Sequence, residues 1–119
     1  MSKTRSLYKS FGFASQGFKE ALKNEPNFQI HTIIGIIMII AAWLSGFNTF
    51  EWLLLTFTIA FVLILELFNT SLEAIVDMVS PEIKPKAKIA KDVSAAAVLI
   101  AAALSIIVGI ALFATKLPL

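Results

Sequence analysis

The chain of 119 residues contains no cysteine and a single histidine. It can therefore form no disulfide bond, and it has no thiolate that could act as a nucleophile or a metal ligand. Neither the phosphate-binding loop GxxxxGK(S/T) nor a protein-kinase signature occurs. Charged residues make up only 15% of the chain, and a net charge of +2 is too small to predict a nucleic-acid partner.

Apolar residues are in excess, since they make up 58% of the sequence and give a mean hydropathy of +0.85. This share exceeds that of soluble domains and predicts an integral membrane protein. The length predicts a single domain over 1–119. A cleavable signal peptide is not expected, because the first apolar run begins near Ile30, after a long polar segment.

Helical periodicity predicts an all-α membrane protein with an N-terminal amphipathic helix and three membrane-spanning helices. The amphipathic helix covers about 4–23, where apolar residues recur at helical spacing and lysines lie between them. It suits either the membrane surface or packing against the protein's own bundle, and the sequence favours neither. The spans are predicted at about 28–47, 50–78 and 91–115, with a basic, proline-containing loop over 80–88.

The distribution of basic residues predicts the orientation in the membrane. Lysine and arginine cluster before the first span and between the second and third, whereas the loop between the first two spans has neither. Basic residues accumulate in cytoplasmic loops. We therefore expect the N-terminus and the 80–88 loop in the cytoplasm, and the C-terminal tail with Lys116 outside.

A polar stripe interrupts the otherwise apolar second span. At about 100° per residue, Glu66, Asn69, Glu73 and Asp77 share one helix face. Each charge near the bilayer core costs on the order of 2.5 kcal/mol or more unless it meets a partner, a cation or water. The stripe therefore indicates a functional site, although an interhelical hydrogen-bond ladder that only holds a bundle together would give the same pattern.

Charged residues from three segments are predicted at one depth in the membrane. Glu25 precedes the first span, and Lys91 and Asp92 begin the third, on the same side as the polar end of the second. Mg²⁺ is typically held by one or two carboxylates together with substrate phosphate oxygens. Glu25 and Glu73 are therefore candidate magnesium ligands, and Lys91 can neutralise phosphate charge. Glu66, the deepest of the acids, can accept a proton from a lipid hydroxyl as a general base.

Three segments carry a resemblance to a known family. They are Glu25–His31, the run ELFNTSLEAIVD over Glu66–Asp77, and the run AKDVSAAAVL over Ala90–Leu99. Together they resemble the prokaryotic diacylglycerol kinase and undecaprenol kinase family over nearly the whole chain. The resemblance implies a homotrimer with shared active sites in the cytoplasmic membrane of a bacterium. It also implies phosphorylation of a membrane lipid alcohol by ATP with Mg²⁺, and no nucleic-acid partner.

The resemblance also implies a role for each matching residue. Glu66 would be the catalytic base, and Glu25 and Glu73 would bind the metal. The nucleotide-binding positions would be Asn69, Asp77, Lys91 and Asp92, with weaker matches at Lys9, Gly17 and Glu82.

Three positions leave the acceptor lipid open between diacylglycerol and undecaprenol. Ala95 stands where enterobacterial diacylglycerol kinases have a serine near the lipid hydroxyl, and Lys84 replaces a histidine common in the loop that covers the adenine. His31, which follows Asn27-Phe28, is more similar to the undecaprenol kinase branch. Taken alone, a histidine at this position is expected to be an interfacial polar residue rather than a ligand.

Two non-enzymatic interpretations remain open from the residues alone. The acidic stripe would suit a small proton or cation pathway, although the middles of the first and third spans have no ionisable residue to continue it. It would also suit an assembly subunit whose acids pair with the cations of a partner. Phosphorylation of a lipid at the expense of ATP distinguishes the kinase from both.

Overall fold

The computed structural model describes the backbone of residues 3–118 and the side chains of residues 6–118. Four helices account for almost all of this part of the chain, and it contains no β-strand. The helices are α1 (Lys3–Asn24), α2 (Pro26–Ser45), α3 (Thr49–Val79) and α4 (Pro85–Ala114). The last three are long and apolar enough to cross a membrane. The predicted fold class, three spanning helices preceded by an amphipathic helix, is thus confirmed.

A single extended residue separates α1 from α2. Glu25 has φ −109° and ψ 104°, and Pro26 follows it at the first position of α2. Proline suits this position because its fixed φ is helical and its missing N–H would have no partner there. The Gln29 amide then donates to the carbonyl of Leu22 at 2.8 Å and to that of Lys23 at 3.2 Å. These bonds give partners to two carbonyl groups at the C-terminal end of α1 and fix the corner that carries Glu25.

Packing between α1 and the rest of the chain is confined to its last turns. Phe18 meets Phe28 edge to face with ring centroids 5.3 Å apart, and Ala21 is buried. From residue 6 to residue 20, the side chains of α1 are exposed. The aromatic face of this helix is therefore free to contact a membrane surface, while its C-terminal end is held on the bundle.

A tight hairpin joins α2 to α3. Gly46 ends α2 in the left-handed region with φ 71°, where glycine has no steric penalty. The Asn48 side chain accepts from Glu51 N–H, and the Glu51 carboxylate accepts from Asn48 N–H, both at 2.9 Å. This reciprocal capping box starts α3 immediately after the turn.

Helix α3 packs mainly on α4, and also on α2. Helix α4 begins at Pro85, well before the predicted start of the third span near residue 91. Pro85 occupies the first helical position, so the proline that suggested a loop instead begins the helix. The connection from α3 to α4 is correspondingly short, over 80–84.

The best-packed region lies at the hairpin end of the three long helices. Its buried core consists of Ala42, Phe47, Leu55 and Leu112. Around it, the Lys116 ammonium lies 2.7 Å from the Glu51 carboxylate and so ties the end of α4 to the start of α3. We refer to these six residues as the hairpin-end cluster. Elsewhere the large apolar side chains of α2, α3 and α4 are mostly exposed, as expected for helices that face hydrocarbon.

Candidate active site

Among the described side chains, Glu66 is the one charged side chain that is buried, with 3% of its surface exposed. Its nearest ionisable neighbour is His31 on α2, whose Nε2 lies 3.4 Å from Glu66 Oε1. The two atoms form no hydrogen bond, so Oε1 is a buried acceptor without a partner. A buried polar atom left unpaired costs about 1–3 kcal/mol. Such a cost is usually tolerated where the atom serves a function.

One turn further along α3, Asn69 and Glu73 form an oriented pair. The Asn69 amide nitrogen donates to Glu73 Oε1 at 3.2 Å. This bond turns Asn69 Oδ1 away from Glu73 Oε1, and Asn69 Oδ1 is also buried without a partner. Two unpaired buried acceptors, Glu66 Oε1 and Asn69 Oδ1, thus lie close together on the polar face of α3.

Glu25 approaches this face from the corner between α1 and α2. It is half-buried and occupies the N-cap of α2, yet its side chain makes no capping hydrogen bond. Its carboxylate is therefore available for another role. Glu25 and Glu73 both lie close enough to Glu66 for their negative charges to act on it.

Lys91 of α4 supplies a strong cation next to the outer part of this polar face. Its Nζ lies 2.6 Å from Asp77 Oδ1 on α3, and it also interacts electrostatically with Glu73. A second pair, Lys88 with Asp92, joins two residues of α4 at 2.6 Å. The ammonium of Lys91 is thus held next to the polar face of α3, and it remains partly exposed.

A pocket of about 280 Å³ with several charged residues in its lining opens beside these ion pairs. We call it the Lys91 pocket. It lies between the end of α3 and the start of α4, and the short connection over 80–84 forms one wall. Its polar lining residues are Asp77, Ser80, Glu82, Lys88, Lys91 and Asp92.

An apolar groove of about 450 Å³ lies between α2, α3 and α4. We call it the interhelical groove. It runs from His31 at one end to Phe113, next to the hairpin-end cluster, at the other. Gly35 and Gly109 are among its lining residues, and aliphatic side chains form most of its wall.

The structure brings together most of the residues that the sequence predicted for the site. Around Glu66 it places Glu25, Asn69 and Glu73, and around the Lys91 pocket it places Asp77, Glu82, Lys91 and Asp92. Lys9 and Gly17 lie on the exposed surface of α1, and no ion pair of the described residues joins Lys9 to the cluster.

His31 is the residue that sequence reasoning missed. Instead of being an isolated interfacial side chain, it contacts the buried Glu66. One signal was present, because His31 and Glu66 lie at nearly the same number of residues from the hairpin loop, on antiparallel helices. That count predicts a shared depth in the membrane, but it leaves the rotation of each helix open.

The residues at Glu66 fit a magnesium ion by the chemistry of their donors. Mg²⁺ prefers carboxylate and amide oxygens. Asn69 Oδ1 is an unpaired acceptor, and the Glu73 and Glu25 carboxylates lie in the same cluster. Among the residues that the structure describes, no three acidic or histidine side chains form a preassembled metal site. Substrate phosphate oxygens would therefore have to complete the coordination shell.

Comparison with known proteins agrees with this geometry. The family model described as "Prokaryotic diacylglycerol kinase" matches residues 12–113. Undecaprenol kinase of Bacillus subtilis (strain 168) is 36% identical over 111 residues, which are 93% of this chain and 90% of that protein. Diacylglycerol kinase of Synechocystis sp. is 43% identical over 105 residues, 87% of this chain but 60% of that protein. Diacylglycerol kinase of Escherichia coli (strain K12) is 31% identical over 102 residues, 85% of this chain and 83% of that protein.

These matches cover both the polar face of α3 and the start of α4. They favour the enzymatic interpretation of the acidic stripe over a proton pathway or an assembly subunit. The chain therefore belongs to the prokaryotic diacylglycerol kinase family and is a lipid kinase.

Proposed function

We propose that this protein transfers the γ-phosphoryl group of ATP to the hydroxyl of a membrane lipid alcohol at Glu66. The supporting observation is the position of that residue. Glu66 is a buried carboxylate with an unpaired oxygen; it contacts His31, which lines the apolar groove, and it lies on the same helix as Asp77, which lines the pocket that contains Lys91. A site of this kind suits two substrates of opposite polarity, one from the bilayer and one from water.

The Lys91 pocket suits the nucleotide. Phosphate groups require cations, and Lys91 and Lys88 line this pocket. Asp77 holds Lys91 at 2.6 Å and so fixes the position of its charge. We assign Asn69, Asp77, Glu82, Lys91 and Asp92 to nucleotide binding.

Two further nucleotide contacts are assigned to α1. Lys9 and Gly17 match the family at nucleotide positions and lie on the exposed surface of this helix. From there, Lys9 would approach the nucleotide from the aqueous side. These two assignments rest on the sequence match.

Proton transfer is the role proposed for Glu66. As the lipid oxygen forms a bond to the γ-phosphorus, the bond from that phosphorus to the β,γ-bridging oxygen breaks, and ADP leaves with the electron pair. The hydroxyl proton passes to the Glu66 carboxylate, which is later deprotonated by water. A well-placed general base contributes roughly 10²–10⁴-fold to a rate. Lys91 offsets the negative charge on the transferring group.

Magnesium binding is assigned to Glu25 and Glu73, with Asn69 Oδ1 beside them. When bound there, Mg²⁺ would neutralise phosphate charge and help to orient the γ-phosphoryl group. The bond between Asn69 and Glu73 restrains both side chains before substrate arrives.

Assembly and orientation complete the proposal. The exposed apolar surface of α2, α3 and α4 supports a homotrimer within the bilayer, with active sites shared between subunits. The lysines near residues 84–91 support a cytoplasmic position for the Lys91 pocket, which is where ATP is available. The membrane would then be the cytoplasmic membrane of a bacterium.

The acceptor is proposed to be diacylglycerol or undecaprenol, the lipids in the names of the relatives. Purified protein in mixed micelles would receive γ-labelled ATP, Mg²⁺ and one of the two lipids. We expect labelled lipid phosphate from the wild type and at least a 100-fold lower rate from Glu66→Gln. Glu20→Gln, an exposed carboxylate on α1, is the matched control and should keep the wild-type rate.

Two results would contradict the proposal. If the wild type labelled neither lipid, the transfer reaction itself would be wrong. The loss of a general base should lower kcat by at least about 100-fold. If Glu66→Gln kept more than about a tenth of the wild-type kcat, the loss would be too small for that role, and Glu66 would be structural.

A further inference from the structure

The one histidine of the chain lies where the groove meets the buried acid. His31 is in the second turn of α2, and 24% of its side chain is exposed. Its Nε2 is 3.4 Å from Glu66 Oε1, and that oxygen has no hydrogen-bond partner. The nearest potential donor to the unpaired oxygen is therefore on a different helix from Glu66.

His31 is also the polar end of the interhelical groove. The two hydroxyl-bearing side chains that line the groove already donate to their own helices. Thr58 donates to Leu54 C=O at 2.7 Å, and Ser105 donates to Ala102 C=O at 2.6 Å. The imidazole of His31 is thus a polar lining group of the groove that lies next to Glu66 and forms no hydrogen bond with its own helix among the described contacts.

A small movement that also turns the imidazole N–H towards Glu66 Oε1 would convert this contact into a hydrogen bond. N–H···O bonds in proteins are usually 2.7–3.2 Å long, so the separation of 3.4 Å exceeds the usual range by a few tenths of an ångström. Catalytic hydrogen bonds are often long before substrate binds and tighten in the complex. A bond to an ionised carboxylate is among the stronger ones and fixes the orientation of the group that accepts it.

We infer that His31 is a positioning residue for Glu66. Its Nε2–H donates to Glu66 Oε1, stabilises the charged carboxylate and directs the other oxygen, Oε2, towards the acceptor hydroxyl. The imidazole also closes the end of the groove, so that a lipid chain lying there places its hydroxyl beside Glu66. This inference rests on the proposed role of Glu66 as general base.

The first test measures the contact without measuring catalysis. Because the chain has a single histidine, protein labelled with ¹⁵N-histidine gives one pair of ring nitrogen signals. The full-length wild type, Glu66→Gln and Glu20→Gln would be compared in the same micelles at one pH. We expect the Nε2 signal to move in Glu66→Gln and to stay in place in Glu20→Gln. An unchanged signal in Glu66→Gln would overturn the inference.

The second test separates positioning from structure. His31→Phe keeps a ring of similar size but removes the donor, whereas His31→Gln keeps an N–H at a similar reach. We expect kcat for lipid phosphorylation to fall about 10- to 100-fold in His31→Phe, with KM for ATP unchanged. In His31→Gln we expect kcat within about threefold of the wild type, because a donor to Glu66 remains.

Each outcome supports the inference or overturns it. Wild-type kcat in His31→Phe would overturn it, and so would an equal loss in both variants when size-exclusion chromatography shows normal assembly. If His31→Phe fails to assemble, the ring nitrogen signals of the labelled wild type and of Glu66→Gln still show whether His31 contacts Glu66. If the wild type phosphorylates no lipid, the proposed function fails, and the nitrogen signals still report whether His31 donates to Glu66.

Discussion

Lys91 Nζ on α4 lies 2.6 Å from Asp77 Oδ1 on α3, so an ion pair joins the two helices at the edge of the Lys91 pocket. With 39% of the lysine side chain exposed, the pair is open to a phosphate that competes for the ammonium. Exposed ion pairs contribute little to stability. Under the proposed function, the pair would place the ammonium for a phosphate rather than hold the fold together.

Lys91→Met should abolish most activity while leaving the folded protein intact. We expect kcat to fall at least 100-fold, because removal of a charge that stabilises the transferring phosphoryl group has effects of about this size. The elution volume in detergent should not change. Lys86→Met, an exposed lysine nearby on α4, is the matched control and should keep wild-type kcat. Near-normal kcat in Lys91→Met would make this lysine only an anchor at the membrane surface.

Substitution of the proposed metal ligands should change the magnesium dependence. Glu73→Gln and Glu25→Gln each remove a charged oxygen ligand, so we expect the Mg²⁺ concentration for half-maximal rate to rise about tenfold or more, or turnover to be lost. The measurement is a Mg²⁺ titration at fixed ATP, with Glu20→Gln as the control. If both variants kept the wild-type Mg²⁺ dependence, the ligand assignment would be rejected.

Gly35 should tolerate no side chain, in contrast to Gly109. A Cβ at Gly35 would lie 3.0 Å from Ile59 Cγ2, and isoleucine has little freedom to turn away. We expect Gly35→Ala to destabilise the packing of α2 on α3 by on the order of 1–3 kcal/mol. At Gly109 a Cβ would meet nothing within 4 Å. Gly109→Ala should therefore be neutral or stabilising, since alanine favours the helix.

Thermal unfolding in detergent, followed by circular dichroism, checks this pair of glycine variants. The ordering of the two midpoints is the result of interest. Equal midpoints for Gly35→Ala and Gly109→Ala would mean that the close approach of α2 to α3 does not limit stability.

The proposed orientation places the C-terminus outside the cytoplasm. A reporter that is active only after export, fused after residue 119, should be active in cells. The same reporter fused within the connection over 80–84 should be inactive, because that segment is expected in the cytoplasm. The reverse pattern would place the Lys91 pocket on the side without ATP and would contradict the proposed function.

Sequence periodicity predicted the helices because each is determined by local spacing of apolar residues and by turn residues such as Gly46 and Pro26. The polar stripe of α3 was equally visible, since it lies within one helix. The start of α4 was less evident, because a proline is compatible with both a loop and the first turn of a helix.

Contacts between helices were harder to predict, as His31 and Glu66 show. Counting residues from the hairpin gives their depth, but the contact depends on the rotation of two helices, which side-chain packing determines. The unpaired oxygen of Asn69 was hidden for a similar reason, since it results from the direction of one side-chain hydrogen bond. Lys9 and Gly17 came from family resemblance alone and have no local signal.

The two ends of the molecule differ in how completely their polar groups are paired. At the hairpin end, Glu51 accepts from Asn48 N–H and forms the ion pair with Lys116 around a buried apolar core. At the opposite end, Glu66 and Asn69 keep unpaired oxygens. Local opening is easiest where contacts are fewest. We therefore expect the hairpin end to open less readily than the end that carries Glu66.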